Sequence, residues 1–151
     1  RVRNPEKAAE KLLHAMDFQY QSLTREQAES GAVRICDSQT LLGVPVLGSL
    51  LELTYMDEHL TAVEGTFYTG GSSITRVSEQ EAISAADALA QLLARRDALG
   101  WVGSTVTSLT QGYLPSDQAG TGIRFVPVWL VETDAGSFFI NGITREITAE
   151  K

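Results

Sequence analysis

The chain has 151 residues, 43% hydrophobic and 21% charged, which is enough apolar material for a core and unlike a disordered tail. Its 19 acidic residues against 12 basic give a net charge of −7, which repels a phosphate backbone and anionic lipid headgroups. With Arg95-Arg96 the only adjacent bases, nucleic acid and direct membrane-surface binding are not expected.

The first residue is Arg1 rather than Met, so the chain reads as processed or trimmed. Asn4-Pro5-Glu6-Lys7 is a helix start, with Asn4 as cap, Pro5 at the first helical position and Glu6 toward the positive end of the dipole. A helix is predicted from there to about Asp17, with Ala8, Leu12, Leu13 and Met16 as its apolar stripe. From Ala32 the period changes to two, and the lone Cys36 falls in this strand-like run as a small buried hydrophobe. One cysteine cannot form an internal disulfide.

After Gly43 and Pro45, Leu51, Leu53 and Tyr55 share one face of a strand, with Leu50, Glu52 and Thr54 on the other. The polar turn Met56-Asp57-Glu58-His59 then predicts an antiparallel hairpin with Leu60 to Phe67, and Tyr68 to Ser73 reads as a linker. Ser78-Glu79-Gln80-Glu81 has the form of a capping box and predicts a second helix starting there. Its expected apolar face is Ile83, Ala86, Leu89 and Leu93, with Arg95 and Arg96 at its C-terminal end and Gly100 as a left-handed stop.

The uncharged stretch from Ala98 to Ser116 is rich in Ser, Thr, Gln and Gly and contains Pro115, so no membrane span is expected. Ser104 to Tyr113 is a strand candidate. Arg124 to Thr133 and Ser137 to Ile143 form a further hairpin across Asp134-Ala135-Gly136. Val44-Pro45-Val46 and Val126-Pro127-Val128 open what look like corresponding hairpins. The predicted fold is therefore α+β, an internal duplication in which residues 1–73 and 74–151 each place a helix on an antiparallel sheet. Halves this small are expected to bury apolar surface against each other as one compact body.

Gly43-Val44-Pro45-Val46-Leu47-Gly48, followed by Leu51 to Tyr55 and Leu60 to Gly65, resembles the PepSY and thermolysin-propeptide modules. Gly112-Tyr113, Val126-Pro127-Val128-Trp129-Leu130-Val131-Glu132-Thr133 and Phe138-Phe139-Ile140-Asn141 look like the C-terminal end of the YycI and YycH proteins. These are membrane-anchored regulators of a Firmicute cell-wall sensor kinase. Asn141-Gly142-Ile143-Thr144-Arg145 departs from the Asn-x-x-Gly turn that commonly closes such hairpins. The resemblance implies an extracytoplasmic domain, held to the membrane by a preceding helix, that regulates a two-component system by protein–protein interaction. Its implied partner is a membrane sensor kinase or a related regulator; separately, a homo-oligomer is an expectation from the polar edge strand. The alternative is a PepSY-like sensor of peptides or small molecules, or a peptidase-modulating domain.

No catalytic constellation stands out. His14 and His59 occur in unrelated settings without an H-E-x-x-H spacing, and no Ser completes Gly-x-Ser-x-Gly. Gly100 to Gly103 lacks a P-loop lysine, and Asp57, Glu58 and Asp134 read as turn residues. The expectation is a protein that is not an enzyme and takes no metal or cofactor. Its binding candidates are Trp101 and Trp129, because an indole offers large apolar area with one donor, the other reading of both being core packing. Phe125 and Pro127 share the Trp129 face of a strand whose other face, Val126, Val128 and Leu130, is also apolar. Thr105 and Thr107 belong to the polar run Ser104 to Thr110, whose composition suits a sheet edge able to accept a partner strand.

Overall fold

A computed structural model of the chain describes residues 1–68, 74–118 and 122–150. It is a mixed α and β protein with antiparallel sheets, and it divides into two compact units, Arg1–Arg76 and Val77–Lys151. The linker expected from Tyr68 to Ser73 lies, beyond Tyr68, outside the described residues.

In the first unit, helix α1 spans Pro5–Ala15, and the Asn4 side chain accepts the Lys7 amide at 3.2 Å. Asp17 ends the helix earlier than expected by taking a left-handed φ of 52°, which lets the Phe18 amide reach back to the Leu13 carbonyl at 2.9 Å. Strands β1 (Thr24–Gln27), β2 (Val33–Asp37), β5 (Leu50–Met56) and β6 (His59–Thr66) form one sheet in that order. The β5–β6 turn is Asp57-Glu58, both at positive φ (49° and 63°), the two-residue geometry that suits strand twist.

Leu51, Leu53 and Tyr55 are buried, as the period-two pattern requires, in one cluster with Ala9, Leu13, Phe18 and Ile35. The expected helix stripe omitted Ala9, which is fully buried; its small side chain lies beside Leu13 on the inward face. Between β2 and β5, a two-residue ribbon pairs β3 (Thr40–Leu41) with β4 (Val44–Pro45) across Leu42 and Gly43.

Buried Gln39 ties this region together. Its side-chain amide donates to the Tyr68 carbonyl at 2.5 Å and its Oε1 accepts the Tyr68 amide at 2.8 Å. Its own amide donates to Ser49 Oγ at 3.0 Å. Every one of these polar groups is thereby satisfied away from water.

In the second unit, helix α2 spans Ala85–Ala94 and corrects the predicted start. Ser78 is not the cap; its Oγ accepts the Gln80 amide at 3.2 Å in a local turn. Ser84 is the cap, accepting the Asp87 amide at 3.1 Å and donating its hydroxyl to Asp87 Oδ2 at 2.8 Å. The physical reason is tertiary: the Ile83 amide donates to the Gly142 carbonyl at 2.9 Å, and its carbonyl accepts the Trp129 indole, so the backbone is committed before a helix can begin. Of the expected apolar face, Ile83 and Leu89 pack against the core, but Ala86 and Leu93 are exposed, and Ala88 and Leu92 are buried instead. Gly100 does take a left-handed φ of 65°, but one turn beyond the helix, where the Trp101 amide closes on the Arg96 carbonyl.

Strands β7 (Val106–Gln118), β8 (Gly122–Thr133), β9 (Gly136–Asn141) and β10 (Ile147–Ala149) form the second sheet in sequential order. Its buried cluster is Ala88, Leu92, Trp101, Val131, Phe138 and Ile140. The Val-Pro-Val expectation needs correction. Val44-Pro45 lies in the short ribbon, whereas Val126-Pro127 lies inside the twelve-residue β8, paired with Leu114 and Tyr113.

Candidate interaction edge

Alternation along β8 puts Phe125, Pro127, Trp129 and Val131 on one face, opposite Pro115, Tyr113, Gln111 and Leu109 of β7. Val131 is fully buried, and half-buried Trp129 and Leu109 pack against the same cluster. The Trp129 indole N–H donates to the Ile83 carbonyl at 2.9 Å. Phe125 and Pro127 are half-buried toward the hairpin end of this face. The other apolar face is uneven, with Val128 3% exposed and Val126 and Leu130 half-buried.

Trp101 is only 6% exposed and is a member of the cluster itself. Its ring is tilted against Phe138 at 6.3 Å between centroids, and the Arg96 guanidinium sits over it at 5.4 Å. The two tryptophans are therefore brought into one packed group.

Thr105 and Thr107 lie elsewhere, at the start of β7, and both are exposed. The Asp134 carboxylate clasps the segment before the strand. It accepts the Ser104 amide at 3.0 Å and the Thr105 amide at 3.3 Å, while the Asp134 amide donates to the Thr105 carbonyl at 3.1 Å. These backbone donors, Ser104 first, hold the carboxyl below the usual aspartate range. Between Val106 and Ser108 the register slips, so Thr107 is the extra residue of a bulge.

Beyond the bulge, β7 pairs with β8 without interruption from Ser108 to Gln118. β7 is the last strand of its sheet, and from Ser108 to Pro115, among the described residues, no backbone hydrogen bond joins its outer side to another segment. Such an edge offers unpaired amides and carbonyls to a further strand. Its exposed positions include Thr110 and Gln111, and the Ser108 hydroxyl bonds across to Glu132 of β8.

The chain matches no known protein-family model and no curated protein. Among the described residues no group of three or more His, Cys, Asp or Glu is placed to hold a metal ion. No described helix is long and apolar enough to cross a membrane.

Three residues that shape this region were missed by sequence reasoning: Asp134 as a clasp, Ile83 as the indole acceptor, and Gly103. A Cβ on Gly103 would run into Asp134 Oδ1 and the Trp101 indole nitrogen. The local signal at Asp134 was that of a turn residue, and nothing near Ile83 or Gly103 in sequence announces partners 30 or more positions away.

Proposed function

We propose that this chain is a non-enzymatic, extracytoplasmic regulatory module of the YycI and YycH type, which engages a protein partner by adding a strand to the outer edge of β7. The observation that supports this most is the β7 edge from Ser108 to Pro115, without a backbone partner among the described residues. Main-chain bonding along such an edge gives affinity, and alternate side chains give selectivity.

The regulator reading also draws on the placement of the motifs. Val126 to Thr133 lies on β8 and Phe138 to Asn141 on β9, adjacent strands of one sheet. An internal duplication is supported by chain order: each unit runs a helix and then four sheet strands in sequence, interrupted in the first by the β3–β4 ribbon. In each, the buried cluster joins the helix to the two middle strands.

The test is calorimetric binding to the extracytoplasmic domain of the cell-wall sensor kinase from the same cell, using the wild type and a Thr107→Lys/Thr110→Lys variant. Binding that the double lysine variant abolishes supports the reading, because charge on an edge opposes strand addition. Undiminished binding by the variant removes the edge, and no binding by the wild type removes the kinase partner.

A further inference from the structure

Asp37 closes β2 on the inward side, since Val33, Ile35 and Asp37 alternate with Arg34 and Cys36. It is 8% exposed, and its Oδ2 has no hydrogen-bond partner among the described residues. On one side it abuts the packed side chains of Leu13, Leu23, Ile35, Leu51 and Leu53, which leave no room for a water molecule. On the other it borders an open depression of about 190 Å³ with Gln21, Ser22, Thr24, Cys36 and Ser38. One carboxyl thus stands between packed leucine side chains and an open depression that Ser22, Thr24 and Ser38 border together with Leu50.

Tyr20 and Leu23 of the segment that closes over it pack against the core, and few backbone bonds join that segment to residues 37–40. A single antiparallel bridge joins Tyr20 to Gln39, and the Thr40 amide donates to the Gln19 carbonyl at 2.8 Å. Asp37 Oδ1 accepts the Ser38 amide at 2.6 Å. Among the described residues no basic side chain forms an ion pair with it. Leucines meet it from α1 and β5, the Tyr20 phenol and the Cys36 thiol are titratable neighbours, and Glu10 of α1 acts on that phenol. Arg34 and Glu52, 3.5 Å apart, project from the opposite face of the sheet.

We propose that Asp37 is a proton-operated latch in the first unit: neutral, it rests against the leucines and keeps the seam between residues 19–23 and 37–40 closed; ionised, it opens that seam toward the depression. An ionised carboxylate among leucines loses its hydration, and the nearest recovery is water entering from the depression. Burial, the largest influence on it, outweighs the Ser38 and Ser22 amides and raises its pKa above 3.8. The inference does not depend on the β7 edge, which belongs to the other unit.

Amide hydrogen exchange followed by NMR from pH 4 to 8, corrected for intrinsic rates, tests the latch in wild type and Asp37→Asn. The wild type is expected to lose protection at Ser22, Ser38 and Thr40 as pH rises, while the asparagine variant stays flat. A carbon-13 titration of the wild-type Asp37 carboxyl, which needs no variant to fold, should give a midpoint above 3.8. A midpoint at or below that value, or parallel exchange profiles in the two proteins, overturns the proposal.

Discussion

The Trp129 indole N–H and the Ile83 carbonyl meet at 2.9 Å, joining the middle of β8 to the residue just ahead of the α2 cap. This bond, with the Ile83 amide on Gly142, decides where the helix begins. Trp129→Ala removes a ring packed on the α2 cluster and leaves the carbonyl without its donor. It should destabilise the second unit by about 3 kcal/mol in urea melts. A small loss of stability would show that the ring is not part of the core.

The two candidate caps separate cleanly by substitution. Ser84→Ala should cost about 1 kcal/mol of stability, because the Asp87 amide loses its acceptor. Ser78→Ala should cost clearly less, since its bond to Gln80 lies outside any helix. Thermal melts of the two variants check the order, and the reverse order would place the helix start at Ser78.

Gly103 is held by crowding rather than by dihedral need. Gly103→Ala drives a methyl group into the Asp134 carboxylate and the Trp101 indole, and should cost about 1–3 kcal/mol. Asp134→Ala, which frees the Ser104 and Thr105 amides, should speed their hydrogen exchange while leaving that at Val131 unchanged. Equal effects at both places would mean that the clasp holds the whole unit.

Asp37 makes stability depend on pH with a definite sign. Because its folded-state pKa is raised, the folded form holds the proton more tightly, and its contribution is fully present below 3.8. It is lost as pH rises through the raised value. Urea denaturation should therefore show Asp37→Asn gaining on the wild type from pH 4 to pH 7. A gap that narrows instead over that range contradicts the burial argument.

Thr107→Lys/Thr110→Lys changes two exposed side chains, so its stability should stay within about 0.5 kcal/mol of wild type. Sedimentation velocity of the same pair tests self-association. If the edge accepts a second copy, the wild type should dimerise at high concentration and the variant should not.

Local chemistry made several features legible. Asn4-Pro5 marks the start of α1, Asp57-Glu58 turns the β5–β6 hairpin, and the alternation of Leu51, Leu53 and Tyr55 names the buried face. Each depends on neighbours within a few positions, so periodicity and capping rules reach it. Ser78 and Ser84 both satisfy those rules, and the bonds from Gly142 and Trp129, brought near only by the folded sheet, chose between them. The stripe expected for α2 included Ala86 and Leu93, and packing buried Ala88 and Leu92 instead. Core packing of Trp101 and Trp129 could be read from sequence, but their packing partners could not, because Phe138, Val131 and α2 arrive from elsewhere. The solitary carboxyl of Asp37 gave no sign in a run that reads as an ordinary strand. Its burial against Leu13 and Leu51 exists only once α1 and β5 have closed over β2.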